Sequence, residues 1–195
     1  VPVAGGTDLM IEGRALPAGP VLDLSQVAGM AGIAVGTDGR ITIGAATRVA
    51  GIAASPDLAR LWPALARAAA SCGAAQIRNR ATIGGNIANA APAADLVPVL
   101  WLTGARLRLI GPKGDPGTCA VADFRPGSGA IITHVDLPAP APGMRSGFVK
   151  LGLRDELTIA RLNMAGAARM QGGALHDLCL FAGALGPRPI RLALA

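Results

Sequence analysis

The residues best able to do chemistry in this chain are two glycine pairs. One lies in Ala81-Thr82-Ile83-Gly84-Gly85-Asn86-Ile87-Ala88-Asn89. Glycine has no Cβ and reaches backbone angles closed to other residues, so a turn built on the pair can lay bare N–H groups against an anion. Thr82 and Asn86 flank the pair, and each has a short side chain that can donate to a phosphate or hold the loop. The second pair opens the chain, in Val3-Ala4-Gly5-Gly6-Thr7-Asp8-Leu9. The two are far apart in sequence. If both face one ligand, that ligand is long and carries at least two phosphates, and a dinucleotide fits. Neither pair matches the G-x-G-x-x-G fingerprint or the G-x-x-x-x-G-K-[ST] phosphate loop. An ordinary turn is the plainer reading of either pair alone, so spacing does not name the ligand.

Other reactive side chains are sparse. Asp95 sits in an apolar stretch, where a carboxylate is costly unless paired or hydrogen-bonded; it reads as the cap of a helix beginning at Leu96, as a ligand contact, or as both. Lys150 follows Phe148 in a strand-like segment near Arg154 and reads, taken alone, as a surface lysine. His134 and His176 lack Cys, Asp or Glu at ligand spacing and read as structural. Cys72, Cys119 and Cys179 are odd in number, far apart and outside any C-x-x-C. Neither a zinc site nor an iron–sulfur cluster is expected, and the odd count fits a reducing cytoplasm rather than a disulfide scaffold. No Ser–His–Asp or paired-carboxylate constellation stands out, as suits a protein whose cofactor carries the chemistry.

Ala4-Gly5-Gly6-Thr7-Asp8-Leu9, taken with Gln76-Ile77-Arg78-Asn79 and Ala81-Thr82-Ile83-Gly84-Gly85-Asn86-Ile87, resembles the FAD-binding subunit of the molybdenum hydroxylases. That family includes the medium subunit of aerobic carbon monoxide dehydrogenase and the FAD domain of xanthine dehydrogenase. The likeness continues through Ala91-Pro92-Ala93-Ala94-Asp95 and Phe148-x-Lys150-x-Gly152-x-Arg154, and so covers nearly the whole chain. It implies an α+β fold: a two-subdomain FAD-binding domain of the PCMH (vanillyl-alcohol oxidase-like) type, then a small α+β C-terminal domain. It implies FAD contacts at Ala4, Gly5, Gly6, Thr7, Asp8, Leu9, Ala81, Thr82, Gly84, Gly85, Asn86, Asp95, Ile132 and Lys150. Asp95 would meet ribityl or ribose hydroxyls. Lys150 would stand near the isoalloxazine ring, where a cation favours an anionic reduced flavin. Arg154 would hold an interdomain contact, and Ile77-Arg78-Asn79 would brace a loop. Cys72 either lines the flavin pocket or is a small buried residue. The partners implied are a molybdopterin-containing large subunit and a small subunit with two [2Fe–2S] clusters. Electrons would pass from those clusters through FAD to a terminal acceptor, and this chain alone would not oxidise substrate. A self-contained FAD oxidoreductase of the same superfamily and a flavin-free structural subunit are the other readings.

Composition agrees with a globular flavoprotein and excludes other classes. Apolar residues are 51% of 195, enough for a sizeable core, yet aromatics are 3% with no Tyr, so that core is aliphatic. The net charge of +6 is dispersed, without a run of like charge or aromatics to stack bases, which argues against nucleic acid. No uninterrupted apolar run reaches the roughly 18 residues needed to span a bilayer. The opening Val1-Pro2-Val3 reads as the end of a strand with nothing before it, so a fragment is expected.

The elements that must position these residues are short. Strands are predicted at Val1–Ala4, at Val21–Leu24 between Pro17/Pro20 and Ser25, and at 33–35 and 40–43 around the hairpin signal Gly36-Thr37-Asp38-Gly39. Thr47 is expected to cap a short helix to Ala54. Ser55-Pro56-Asp57 should start another that continues through Leu58, Leu61, Leu65 and Ala69. Residues 76–89 read as irregular, 95–102 as a short apolar helix, 106–110 as a half-exposed strand, 111–117 as a turn and 131–137 as a strand. Strand-like segments at 147–151, 157–170 and 175–185 follow, with Gly172-Gly173 turning between the last two. The Pro138-Ala139-Pro140-Ala141-Pro142 spacer is the expected boundary. It separates an FAD-binding domain, 1–140, with subdomains of about 1–54 and 55–140, from a C-terminal domain, 143–195.

Overall fold

Two antiparallel sheets, joined by helices, carry the chain, and a small parallel pair opens it. The computed structural model describes residues 1–11, 18–154 and 157–193. Pro17, expected to bound the second strand, lies outside the described residues, as does the end of the expected C-terminal domain. β1 (Pro2–Val3) pairs in parallel with β2 (Leu22–Asp23), and the first glycine loop leaves from the end of β1.

The larger sheet runs β3-β4-β7-β5-β6. β3 (Ile33–Val35) and β4 (Ile41–Gly44) form the hairpin that the 36–39 signal predicts. β5 (Arg106–Ile110) and β7 (Ile131–Leu137) also stand as predicted. β5 alternates as its sequence does, with Leu107 buried and Arg106 and Arg108 exposed. β6 (Pro116–Ala120) corrects the expectation of a turn over 111–117, since the strand already begins at Pro116. The turn closes earlier, where Gly111 donates its N–H to Asp115 O at 2.8 Å. Pro116 and Gly117 are tolerated because β6 is an edge strand. β4 pairs with β7, Ile41 opposite Leu137, so the two expected subdomains share this sheet.

Among the described residues, six short α-helices follow the hairpin and the later loops. α1 (Val49–Ala53) is not capped by Thr47, as had been expected: Arg48 takes the cap position without a side-chain bond. The Thr47 hydroxyl instead donates to Gly32 O at 3.0 Å and accepts from Gly32 N at 2.9 Å. α2 (Pro56–Leu61) is capped by Ser55 as predicted, the Leu58 N–H donating to its hydroxyl at 3.3 Å. The predicted single helix then breaks. Trp62 has φ −133 and ψ 69, and α3 (Pro63–Ala70) starts afresh. A proline disfavours helical angles at the residue before it. The apolar stripe survives the break, with Leu58, Leu65 and Ala69 all fully buried.

The segment read as irregular holds two helices, α4 (Ala75–Arg78) and α5 (Ile83–Asn89). α6 (Leu96–Leu102) stands where the apolar pattern put it. No helix among the described residues is long and apolar enough to cross a membrane.

Beyond the proline spacer the second sheet runs β11-β10-β9-β8, all antiparallel: β8 (Met144–Leu151), β9 (Leu162–Gln171), β10 (Ala174–Gly183) and β11 (Ile190–Arg191). Gly172 and Gly173 make the predicted turn, at φ +59 and +80, angles that favour glycine. Among the described residues no strand pairing crosses the spacer. α3 packs on β8 and α6 on β9 and β10, while α5 packs on β7. One core of Ile41, Ile43, Leu65, Ile83, Leu100, Leu107 and Phe148 therefore links both sheets through the helices. The architecture is α+β.

Candidate functional site

A cavity of about 550 Å³ opens between the N-terminal loop, α4, α5, the segment before α6, β8 and residues 158–160. Pockets that bury small ligands run from about 300 to 1,000 Å³. Twelve of the fourteen expected contact residues line it: Ala4–Leu9 as a block, Ala81, Thr82, Gly85, Asn86, Asp95 and Lys150. Gly84 and Ile132 do not. They line a smaller apolar cleft of about 90 Å³, which shares Ala4, Thr82, Gly85 and Ala88 with the large one. The two spaces meet across the start of α5.

The second glycine pair is no turn. It lies in the first turn of α5 with Thr82 as N-cap, and its amides are not bare. Ile83 N–H donates to Thr47 O at 3.1 Å, Gly84 N–H to Ala45 O at 2.8 Å and Gly85 N–H to Thr82 Oγ1 at 3.1 Å. Each glycine has its own reason. A Cβ on Gly84 would stand 2.8 Å from Ala45 Cβ and 2.9 Å from Ala45 O, so α5 approaches the end of β4 only through glycine. Gly85 faces the cavity. Thr82 is itself buried and caps this turn. Thr82→Ala is expected to cost about 1 kcal/mol, the usual value of a lost cap, read as a lowered midpoint in urea unfolding.

The first pair supplies what the second does not. Gly6 has φ +71, a region open to glycine. Among the described residues none accepts a hydrogen bond from the N–H groups of Gly5, Gly6 or Thr7. The loop is seated on the second motif: a Cβ on Gly5 would lie 2.1 Å from Arg80 O, and Arg80 Nε donates to Gly5 O at 3.4 Å. Two stretches far apart in sequence thus line one wall of the cavity.

Asp95 and Lys150 line the same cavity. Asp95 holds the N-cap position of α6 but makes no side-chain cap bond, so the capping reading of its carboxylate falls. Its Oδ2 lies 2.6 Å from Lys150 Nζ, and its Oδ1 accepts from Asn163 Nδ2 at 3.1 Å. Lys150 also donates to Ser71 O at 3.1 Å. Its side chain is 10% exposed and that of Asp95 5%, so this lysine is no free surface cation. Burial pushes the Asp95 carboxyl above its ordinary range, while Lys150 and Asn163 pull it back. Cys72 lines the same cavity; burial and the Asp95 charge push its thiol up to about 11, against Lys150 and Arg78, so it stays a thiol. Asn86 Oδ1 is buried without a hydrogen-bond partner, an acceptor left for a ligand donor.

Other expectations resolve locally. Arg78 braces its loop as expected, donating to Gly73 O at 2.7 Å. Among the described residues Arg154 makes no interdomain bond; its guanidinium donates to Leu157 O at 3.1 and 2.7 Å. His134 Nε2 lies 3.1 Å from Gly29 O. Among the described residues no group of three or more His, Cys, Asp or Glu could hold a metal ion. Sequence reasoning missed Asn163 and the Thr158–Ala160 wall. A lone Asn within the apolar run Leu162-Asn163-Met164-Ala165 is the signal that could have found the first.

Residues 1–140 match the family described as the FAD binding domain in molybdopterin dehydrogenase. The chain is 31% identical to the xanthine dehydrogenase FAD-binding subunit of Escherichia coli O157:H7, over 97% of this chain and 68% of that one. It is 31% identical to the carbon monoxide dehydrogenase medium chain of Afipia carboxidovorans, over 77% of this chain and 54% of that one. It superposes on the structure of a carbon monoxide dehydrogenase from Hydrogenophaga pseudoflava with a TM-score of 0.89 at 27% identity, covering 98% of this chain and 69% of that one.

Proposed function

The chain belongs to the family of FAD-binding domains of molybdopterin dehydrogenases, and from that premise we propose that it is the flavin relay of a multi-subunit molybdenum hydroxylase. It is an oxidoreductase subunit whose cofactor is FAD. The observation that carries the cofactor's place is the joint wall of the two glycine motifs, in a cavity lined both by Gly5–Thr7, whose amides have no acceptor among the described residues, and by Lys150. Such donors and a cation suit a pyrophosphate-bearing ligand. The unpartnered Asn86 Oδ1 fits too, as an acceptor for a polar group of that ligand.

In this reading Gly5, Gly6 and Thr7 bind the anionic part of FAD. Gly85 keeps the start of α5 low enough for close approach, and the apolar cleft at Ile132 takes one end of the molecule. FAD supplies the redox chemistry, accepting single electrons and passing on two. Substrate is oxidised at a molybdenum centre on a large subunit, and two [2Fe–2S] clusters on a small subunit feed this chain. The Afipia relative's designation as a medium chain supports that division of labour. Residues 1–140 form the FAD-binding domain and 143–195 the C-terminal one. Three free cysteines among the described residues support a cytoplasmic setting.

The test is anaerobic. Heat-released cofactor should co-migrate with FAD and not FMN. Flavin absorbance should hold when substrate alone is added and bleach once large and small subunits are present. Bleaching by substrate without partners would overturn the relay and favour a self-contained oxidoreductase. Absence of flavin from the purified protein would leave the structural-subunit reading.

A further inference from the structure

We infer that Asn163 is the positioning residue of the cavity's ion pair: it holds the second carboxylate oxygen of Asp95 and so keeps Lys150 fixed as a cation at the cavity wall. The inference rests on FAD occupying this cavity, but its first test does not.

Asn163 is fully buried near the start of β9. Cross-strand pairing puts it opposite Lys150 on β8 and opposite Gly183 on β10. Its neighbour on the third side is Asp95, at the start of α6. Nδ2 donates to Asp95 Oδ1 at 3.1 Å and weakly to Ala94 O at 3.5 Å. The amide orientation follows from chemistry, since turning it would set oxygen against carboxylate. That leaves Asn163 Oδ1 without a partner, a cost accepted for the contact on the other side. Gly183 makes the room: a Cβ there would stand 2.3 Å from Asn163 Oδ1 and 2.7 Å from Pro98 Cγ.

The chemistry divides between the two oxygens. Lys150 takes Oδ2 and Asn163 takes Oδ1, so the buried carboxylate has both ends held. Burial works against the ionised form, and Asn163 is one of the groups that oppose it. The titratable groups beside Asp95 are Lys150 from β8 and Cys72 from the segment after α3, with Arg78 and Asp8 acting on Cys72 beyond it. Without Asn163 the carboxyl takes up a proton at higher pH, and Lys150 loses its counter-charge and its fixed partner. Asn163 does not line the cavity, so it acts through Asp95.

The direct test follows the Asp95 carboxyl carbon by NMR through a pH titration of the full chain stripped of flavin. Asn163→Leu should raise the Asp95 titration midpoint by about one to two pH units, the equivalent of one hydrogen bond to a charged group. Should that variant fail to fold, Asn163→Ser, too short to reach Asp95, carries the same expectation. The second readout is the pH profile of the flavin midpoint potential in FAD-loaded protein. Its break should move upward with Asn163→Leu, and the same change should do nothing in an Asp95→Asn background. A merely structural asparagine would leave the break in place. An unmoved Asp95 titration overturns the inference whether or not FAD binds. A moved titration in a chain that takes up no FAD overturns the cofactor reading instead.

Discussion

Gly85→Val will strip the protein of FAD while leaving its urea midpoint near wild type; Gly84→Val, one residue away, will lower that midpoint. Gly85 is on the cavity wall, and a Cβ there would meet Thr82 Oγ1 at 3.1 Å, a tight contact that a small shift of that side chain relieves, and no backbone atom. Its φ is not positive, so valine meets no backbone strain. Helix propensity favours valine over glycine by a few tenths of a kcal/mol. The new methyl groups enter the cavity proposed for the cofactor, so the loss falls on binding. Gly84 is packed against Ala45, with the virtual Cβ at 2.8 Å from Ala45 Cβ and 2.9 Å from its carbonyl oxygen. Overpacking of this kind costs about 1–3 kcal/mol, and the displaced Gly84 N–H to Ala45 O bond adds about 1 kcal/mol. Arg106→Ala, on the exposed face of β5, is the control and should keep both flavin and stability within about 0.5 kcal/mol. Equal flavin content in wild type and Gly85→Val, measured as FAD released per mole, would refute the placing of FAD against Gly85.

Local patterns predicted elements well where one short-range cause decides the backbone. The 36–39 hairpin, the Ser55 cap and the Gly172-Gly173 turn each depend on the preferences of a few adjacent residues. The failures come where a distant partner decides. Thr47 looks like a cap, but its hydroxyl is taken by Gly32. Gly84-Gly85 looks like a turn because glycine disfavours helices, yet the approach to Ala45 requires it inside one. The same fact overturns the expectation of bare amides there and moves that role to Gly5–Thr7. Most of the cavity wall was legible through the two motifs. The pairing of Asp95 with Lys150 was not, because nothing between positions 95 and 150 reveals the register that brings β8 and β9 to the start of α6. Asn163 was invisible for the same reason.

That ion pair makes the last prediction. Lys150→Met will destabilise the flavin-free protein by about 3–5 kcal/mol near neutral pH, the loss seen when one partner of a buried pair is removed. The methionine is apolar and of similar length, so packing changes little; what remains is the Asp95 carboxylate without its cation. The loss depends on pH, and its sign follows from Asp95. Burial already raises that carboxyl, and removing Lys150 takes away an opposing attraction, so it rises further. A group whose folded-state value exceeds its unfolded value binds extra protons in the folded state between the two. Stability then falls as pH rises through that window and levels off above it. The Lys150→Met penalty should therefore be full above the raised value and shrink as pH falls toward the ordinary carboxylate range. Asp95→Asn in the same chain removes the stranded charge while keeping a group that Asn163 can meet. The double variant should regain about 2 kcal/mol of the single-variant loss, a coupling typical of residues in direct contact. Urea unfolding of the four proteins at neutral and mildly acidic pH measures both effects. A Lys150→Met loss that is the same at both pH values and unrelieved by Asp95→Asn would show that the two side chains only fill space.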